Sequence, residues 1–140
     1  MGFSILYIVF RMNTGARIKI ISFTDLNAWK EGHKLVLLIY KLCEHFPETE
    51  KFGLASQLKR AAISVTSNIA EGFSRNTSKE KVQFYRISMG SLMEIQNQLQ
   101  VANELVFITQ DQFNQANAQS VVVSKLIIGI IKSAKSFSSY

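Results

Sequence analysis

The chain has 140 residues, 47% of them hydrophobic, and its 16 Lys+Arg against 10 Asp+Glu give a formal net charge of +6. That length predicts one domain, and the apolar share supplies a core, which excludes general disorder. Seven Gly and one Pro disfavour a turn-rich all-β fold, and a single Cys excludes an internal disulfide framework and a Cys-based zinc site.

Residues 1–22 differ in character from the rest of the chain. Phe3 to Phe10 (FSILYIVF) is an apolar run of eight residues, whereas a bilayer span needs about 20. No basic residue precedes the run and no small-x-small site comes cleanly after it, so it makes a poor signal peptide. The segment is expected to be an extension outside the fold, with Met12 as an alternative start and residues 23–140 as the domain. No membrane span is predicted, and the expected location is the cytoplasm.

From Thr24 the helical period takes over. A first helix is predicted over 25–46. Leu26, Trp29, His33, Val36, Tyr40 and Cys43 form one apolar stripe, and Leu35, Ile39, Leu42 and Phe46 a second beside it. A helix apolar over so much of its circumference is expected to be contacted on two sides. Phe46-Pro47 stops it. A second helix is predicted over 51–74, with Leu54, Leu58, Ala61, Ala62, Val65 and Ile69 inward and Gly72 at the exit.

Thr77 and Glu80 form a capping box, after which a third helix runs to Val106. Its stripe is Val82, Tyr85, Met89, Leu92, Leu99 and Val106, flanked by Phe84, Ile95 and Ala102. Thr109 and Gln112 repeat the box before a fourth helix over 111–137. Val121 to Ile131 is apolar all round except Ser124, Lys125 and Gly129, and is expected to be buried from several directions. Four such helices with short links predict an all-α, antiparallel up-and-down four-helix bundle. The apolar excess on the first and fourth helices predicts a homo-oligomer.

The pattern offers little chemistry. A di-iron bundle needs Glu-x-x-His on two helices; neither His33 nor His45 has a Glu at that spacing before it, and the fourth helix has no Glu. Cys43 and His33 fall on an apolar stripe, where buried or interfacial roles are expected. There is no phosphate loop and no nucleophile elbow. No catalytic residue, metal or cofactor is assigned, and the chain is read as a non-enzyme.

The second helix carries an unusual polar arc. Gln57, Arg60, Ser64, Asn68 and Glu71 recur at spacings of three, four, four and three. Arg60 and Glu71 are about 16 Å apart along the axis, so each needs another partner. Ser91 and Glu94 on the third helix are candidates. The expected role is a buried or interfacial hydrogen-bond network that fixes helix register; the alternative is a ligand site, in its strongest form an enzyme built on Arg60, Glu71 and Glu94.

The basic residues form two groups. Lys30, Lys34 and Lys41 line the polar edge of the first helix, and Arg75, Lys79, Lys81 and Arg86 gather at the second link. With Arg60 they are the candidate phosphate contacts, against the alternative of a solvated face. The aromatic residues lie mostly on core stripes, so no stacking platform is evident.

The run from Phe46 to Ser64 (FPETEKFGLASQLKRAAIS), continued by Asn68-Ile69-Ala70-Glu71-Gly72, closely resembles the 23S rRNA intervening-sequence protein family. Asp25-Leu26 with Trp29, and Gly90-Ser91-Leu92 with Glu94, resemble it too. The resemblance spans about Phe23 to Lys135, with Ser88 where the family commonly has Ala. Residues 1–22 fall largely outside it. It implies an antiparallel four-helix bundle assembled as a ring-like homopentamer. It assigns no molecular activity. A related accessory factor of a retroelement reverse transcriptase binds nucleic acid as a basic pentameric barrel, which by analogy points to RNA or DNA. The alternative is a protein-interaction scaffold that recruits a nucleic-acid enzyme such as a reverse transcriptase.

Without residues 1–22 the chain loses Arg11, Arg17 and Lys19 and no acid, leaving 13 basic against 10 acidic residues, or +3. Five copies would carry about +15, so the field depends on how assembly places the charges.

Overall fold

A computed structural model describes residues 10–11 and 17–136. Most of the apolar run Phe3–Phe10, and Met12, lie outside the described residues. Two short strands, β1 (Phe10–Arg11) and β2 (Arg17–Ile18), pair antiparallel. The fold class is all-α, with four long helices: α1 (Asn27–Cys43), α2 (Leu54–Ser74), α3 (Ser78–Glu104) and α4 (Gln110–Ser136).

Local chemistry sets each boundary. Before α1, a 3-10 turn at Phe23–Asp25 is held by the Asp25 carboxylate, which accepts from the Ile21 and Ser22 amides at 2.9 Å each. The Ser22 and Ile21 bonds lower the Asp25 pKa, because they favour the charged carboxylate. Ahead of α2, the Glu50 carboxylate accepts from the Leu54 amide at 3.0 Å, satisfying one donor of the first turn. Thr77 accepts from the Glu80 amide at 3.2 Å, while the Glu80 side chain meets the Thr77 hydroxyl. Thr109 and Gln112 form the full reciprocal box, at 2.9 and 3.1 Å.

The antiparallel order emerges from the cross-helix partners. Between α2 and α3, Gln57 meets Gln98, Ser64 meets Ser91, Val65 meets Ser88, and Phe73 meets Lys81. One number climbs as the other falls. Cys43 with Ala55 and Tyr40 with Lys59 give the same result for α1 and α2. Neighbours in sequence pack together and α1 closes the square against α4. Leu35, Ile39, Leu58, Val65, Ile69, Leu92, Ile95, Leu99, Val123 and Ile127 are 0% exposed in the shared core. Each such side chain contributes roughly 1.5–3 kcal/mol of burial. Ile20, just before the first turn, joins this core at 4% exposure.

Three expectations about faces are corrected. The buried stripe of α1 is Ala28, Gly32, Leu35, Val36, Ile39, Leu42 and Cys43. Trp29 is half-buried, and His33 and Tyr40 are exposed. The reason lies at Gly32, where an added Cβ would stand 3.1 Å from the Thr66 methyl. Small residues fill the seam with α2, so the helix rolls and its aromatic residues move onto a shoulder. On α4, Val121, Val122 and Ile128 are 39%, 42% and 44% exposed, so that helix is covered on one side within the protomer. Val106 lies beyond α3, 81% exposed, with φ at 60°.

Candidate functional site

Antiparallel packing sorts the charges by bundle end. One end holds the start of α1, the α2–α3 link and the end of α4. Splitting each helix at its midpoint gives that end Lys19, Lys30, Lys34, Arg75, Lys79, Lys81, Arg86, Lys125, Lys132 and Lys135, against Asp25, Glu31, Glu71 and Glu80. The other end holds Lys41, Lys51, Lys59 and Arg60 against Glu44, Glu48, Glu50, Glu94, Glu104 and Asp111. The ends therefore carry about +6 and about −2 at neutral pH. At the basic end a hollow of about 740 Å³ is bounded by Ser78, Lys79, Val82, Gln83, Arg86, Ile87 and Lys135.

The candidate phosphate contacts are not equivalent. Lys30, Lys79 and Arg86 are exposed at the basic end. Lys34 is exposed there but pairs with Glu31 at 3.0 Å. Arg75 pairs with Glu71 and lies over the Phe84 ring, 4.6 Å from its centroid. Lys41 and Arg60 sit on the opposite half.

Lys81 departs from its expected surface position. It is 8% exposed, and its ammonium donates to the Gly72 and Phe73 carbonyls at 3.3 and 2.7 Å. Those carbonyls lie in the last turn of α2, where the Gly72 carbonyl also accepts from the Arg75 amide at 3.2 Å, so Lys81 closes that helix rather than facing solvent. Burial lowers its pKa.

The polar arc of α2 faces α3 along a groove of about 320 Å³ lined by Gln57, Arg60, Ala61, Ser64, Ser91, Glu94 and Gln98. Ser64 and Ser91 meet oxygen to oxygen at 2.7 Å, and Asn68 donates to the Ser64 carbonyl and hydroxyl at 2.8 and 3.1 Å. Gln98 donates to Gln57 at the limiting distance of 3.5 Å. The middle of the expected network is thus assembled across two helices. Its ends differ: Glu71 pairs with Arg75 just beyond the end of its own helix. Arg60 and Glu94 line the groove without an ion pair between them. Beside the groove Ser88, 0% exposed, donates to the Val65 carbonyl at 2.7 Å.

Burial pushes the Cys43 thiol up to about 11 and the Tyr85 phenol up to about 12, favouring the neutral forms. Among the described residues no three His, Cys, Asp or Glu side chains gather as a metal site, and no helix is long and apolar enough to cross a membrane.

Residues 24–129 match the 23S rRNA-intervening sequence protein family. The chain belongs to that family. A solved structure of a protein of unknown function from the S23 ribosomal protein family of Bacteroides thetaiotaomicron superposes with a TM-score of 0.70. It is 23% identical in sequence, and the match covers 75% of this chain and 95% of that one. At that identity the likeness speaks for the fold alone. Among curated proteins no match is found.

For this family member, sequence reasoning missed Lys125, Lys132 and Lys135 as part of the basic end. The available signal was topology: in an antiparallel bundle the end of the fourth helix returns beside the start of the first. It also missed the exposed aromatic row on α1, whose spacing looked like core.

Proposed function

We propose that this protein is a non-enzymatic, cytoplasmic homo-oligomer, a ring-like pentamer by analogy with its family, that binds RNA or DNA through its basic end. The observation that carries this reading is the axial separation of charge, about +6 against about −2 in one protomer. Copies arrayed side by side in one direction would join their basic ends into a continuous rim. Fields from such rims attract polyanions far more strongly than scattered charges do. Lys30, Lys79 and Arg86 are the exposed members of the candidate set at that end.

Assembly is supported by the uncovered outer side of α4 and its neighbour α3. Val121, Val122 and Ile128 on α4, with Ile87 and Met93 on α3, are 39–47% exposed. Gly90 and Gly129 lie within these helices with nothing inside 4 Å of where a Cβ would stand. A mid-helix Gly costs about 1 kcal/mol relative to Ala, and packing inside the protomer does not explain it. A second copy approaching closely does. The non-enzymatic reading is supported by the absence of a phosphate loop and of a nucleophile elbow in the sequence.

The test is binding of a labelled RNA hairpin and a DNA duplex by fluorescence anisotropy from 50 to 300 mM salt. Affinity should fall linearly on logarithmic axes, and a Lys79→Ala/Arg86→Ala variant should show a shallower slope. No binding at 50 mM salt would sink the reading. Sedimentation at micromolar concentration should show an oligomer, and a monomer alone would overturn the assembly.

A further inference from the structure

On α1 an aromatic residue stands directly before a lysine three times: Trp29-Lys30, His33-Lys34 and Tyr40-Lys41. At 100° per residue the three aromatic positions share an arc of about 40°, and the three lysines share another about 100° further round. The buried stripe borders the aromatic row and lies opposite the lysine row. The outer face of α1 thus carries two parallel rows, one aromatic and one cationic, about 16 Å long.

The aromatic row presents a ring surface. Trp29 and His33 stack with centroids 4.7 Å apart and planes at 12°, and Phe23 packs edge-on against Trp29 at 5.5 Å. Phe23 and Trp29 are half-buried and His33 is exposed, so the imidazole is the most solvent-exposed member of the cluster. Further along, Tyr40 is 42% exposed, with the Lys59 ammonium 5.1 Å from its ring centroid. The cationic row is open as well: Lys30, Lys34 and Lys41 are all exposed. Lys34 has a partner in Glu31, but Glu31 also accepts from Gln119 of α4 at 2.8 Å. The carboxylate therefore keeps a donor when Lys34 turns to a phosphate.

From this juxtaposition we infer that the outer face of α1 is a track for single-stranded nucleic acid, with an unpaired base continuing the Trp29–His33 stack and the lysine row taking the phosphates. The inference rests on the nucleic-acid reading above and names the class of strand. A free aromatic face needs a base with a free π-face, which a single strand offers and a duplex hides within its own stack. A second copy of the chain fits the face less well. Lysines are depleted from the cores of protein interfaces, and docking another protein here would desolvate a row of three.

The experiment compares a 12-nucleotide single-stranded RNA with a blunt duplex of the same length, using the full chain. Trp29 is the one tryptophan of the protein, so its emission reports on this face without ambiguity. The expected result is a change in Trp29 emission on adding the single strand. His33→Ala should weaken the single strand at least about fivefold, with duplex affinity unchanged and affinity restored in His33→Phe, because one base–aromatic stack is worth that much or more. Equal effects of His33→Ala on both forms, or none on either, overturn the track and leave the general nucleic-acid reading standing. Wild type that binds neither form overturns both. His33→Ala or Tyr40→Ala protein that sediments as a smaller species assigns the face to a second copy and overturns the track.

Discussion

Lys81 donates its ammonium to the Phe73 carbonyl at 2.7 Å and so ties the first turn of α3 to the last turn of α2. The ammonium also lies 5.6 Å from the Phe73 ring centroid. A lysine beside an exposed basic cluster is therefore a structural cap, while nearby Lys79 is exposed. Replacing Lys81 with Met keeps most of the aliphatic volume and removes the donor from the Phe73 carbonyl, while the Gly72 carbonyl keeps the Arg75 amide. The expected loss is about 1–3 kcal/mol of folding stability, the range for leaving buried polar groups unpaired. Chemical denaturation of Lys81→Met and Lys79→Met checks this. Lys81→Met should lose stability with no change in the salt dependence of nucleic-acid binding, and Lys79→Met should do the reverse. A stable Lys81→Met protein with a reduced salt slope would return Lys81 to the binding surface.

Two glycines on the helices have opposite surroundings and predict opposite responses to alanine. At Gly72 an added Cβ would stand 2.6 and 2.8 Å from two carbons of the Tyr85 ring and 3.2 Å from the Lys81 carbonyl. Tyr85 is 3% exposed and has little room to retreat. Gly72→Ala should therefore cost about 1–3 kcal/mol, as overpacking of a dense core does, less the roughly 1 kcal/mol that alanine gains in a helix. Gly72 was expected to end α2; it lies inside the last turn and serves instead as the seat of the Tyr85 ring. Gly129 has open space around its Cβ position, so Gly129→Ala should raise protomer stability by up to about 1 kcal/mol. Thermal unfolding of the two variants side by side decides it, and a Gly72→Ala protein as stable as wild type would remove the steric account.

The sequence carried the helix period, both threonine caps and the four long helices of an all-α fold, because those are local signals repeated over whole turns. The middle of the polar arc, Ser64 and Asn68 facing Ser91, was legible as well, since polar residues in one register beside an apolar stripe need a common neighbour. What escaped depends on contacts between helices. The roll of α1 is set by Gly32 against Thr66, and a hydrophobic pattern cannot weigh a glycine seam against a line of aromatic residues. The burial of Lys81 arises because α2 ends one turn away from it in space, and the charge separation exists only once four helices alternate in direction.

Val106 shows the same limit at a single residue. Periodicity carried the third helix through it, yet the helix stops at Glu104 and Val106 takes φ of 60° in the connection to α4. Its amide donates to the Asn103 carbonyl at 3.0 Å and the Phe107 amide reaches back to Ala102 at 2.9 Å, the paired bonds of a left-handed helix stop. Phe107 then packs on Phe46, 5.6 Å between centroids. A left-handed conformation costs an L-residue roughly 1–2 kcal/mol, and the exposed valine side chain returns little for it. Val106→Gly should raise the unfolding midpoint, with a gain near 1 kcal/mol after the added chain entropy of glycine. An unchanged or lower midpoint would mean that the side chain contributes more than its exposure implies.

Alkaline stability is governed by the buried acids. The Cys43 thiol shifts from 9.0 to about 11 and the Tyr85 phenol from 10.0 to about 12, both through burial. In each window the unfolded chain has released a proton that the folded chain still holds, so rising pH favours unfolding. The stability these neutral groups contribute is full below pH 9 and is lost as pH climbs towards 11 and 12. Lys81 acts in the other direction: its pKa is lowered from 10.5, so in the interval below that value the unfolded chain binds more protons and stability rises with pH. The sum is a decline that steepens above about pH 10.5, where the lysine contribution fades and the phenol contribution is under way. Tyr85→Phe keeps the ring on Gly72 and removes the proton. Urea midpoints measured from pH 8 to 11.5 should separate, the variant staying flatter above pH 10. Two superimposable curves would show that the Tyr85 phenol ionises as readily in the folded protein as in the unfolded one.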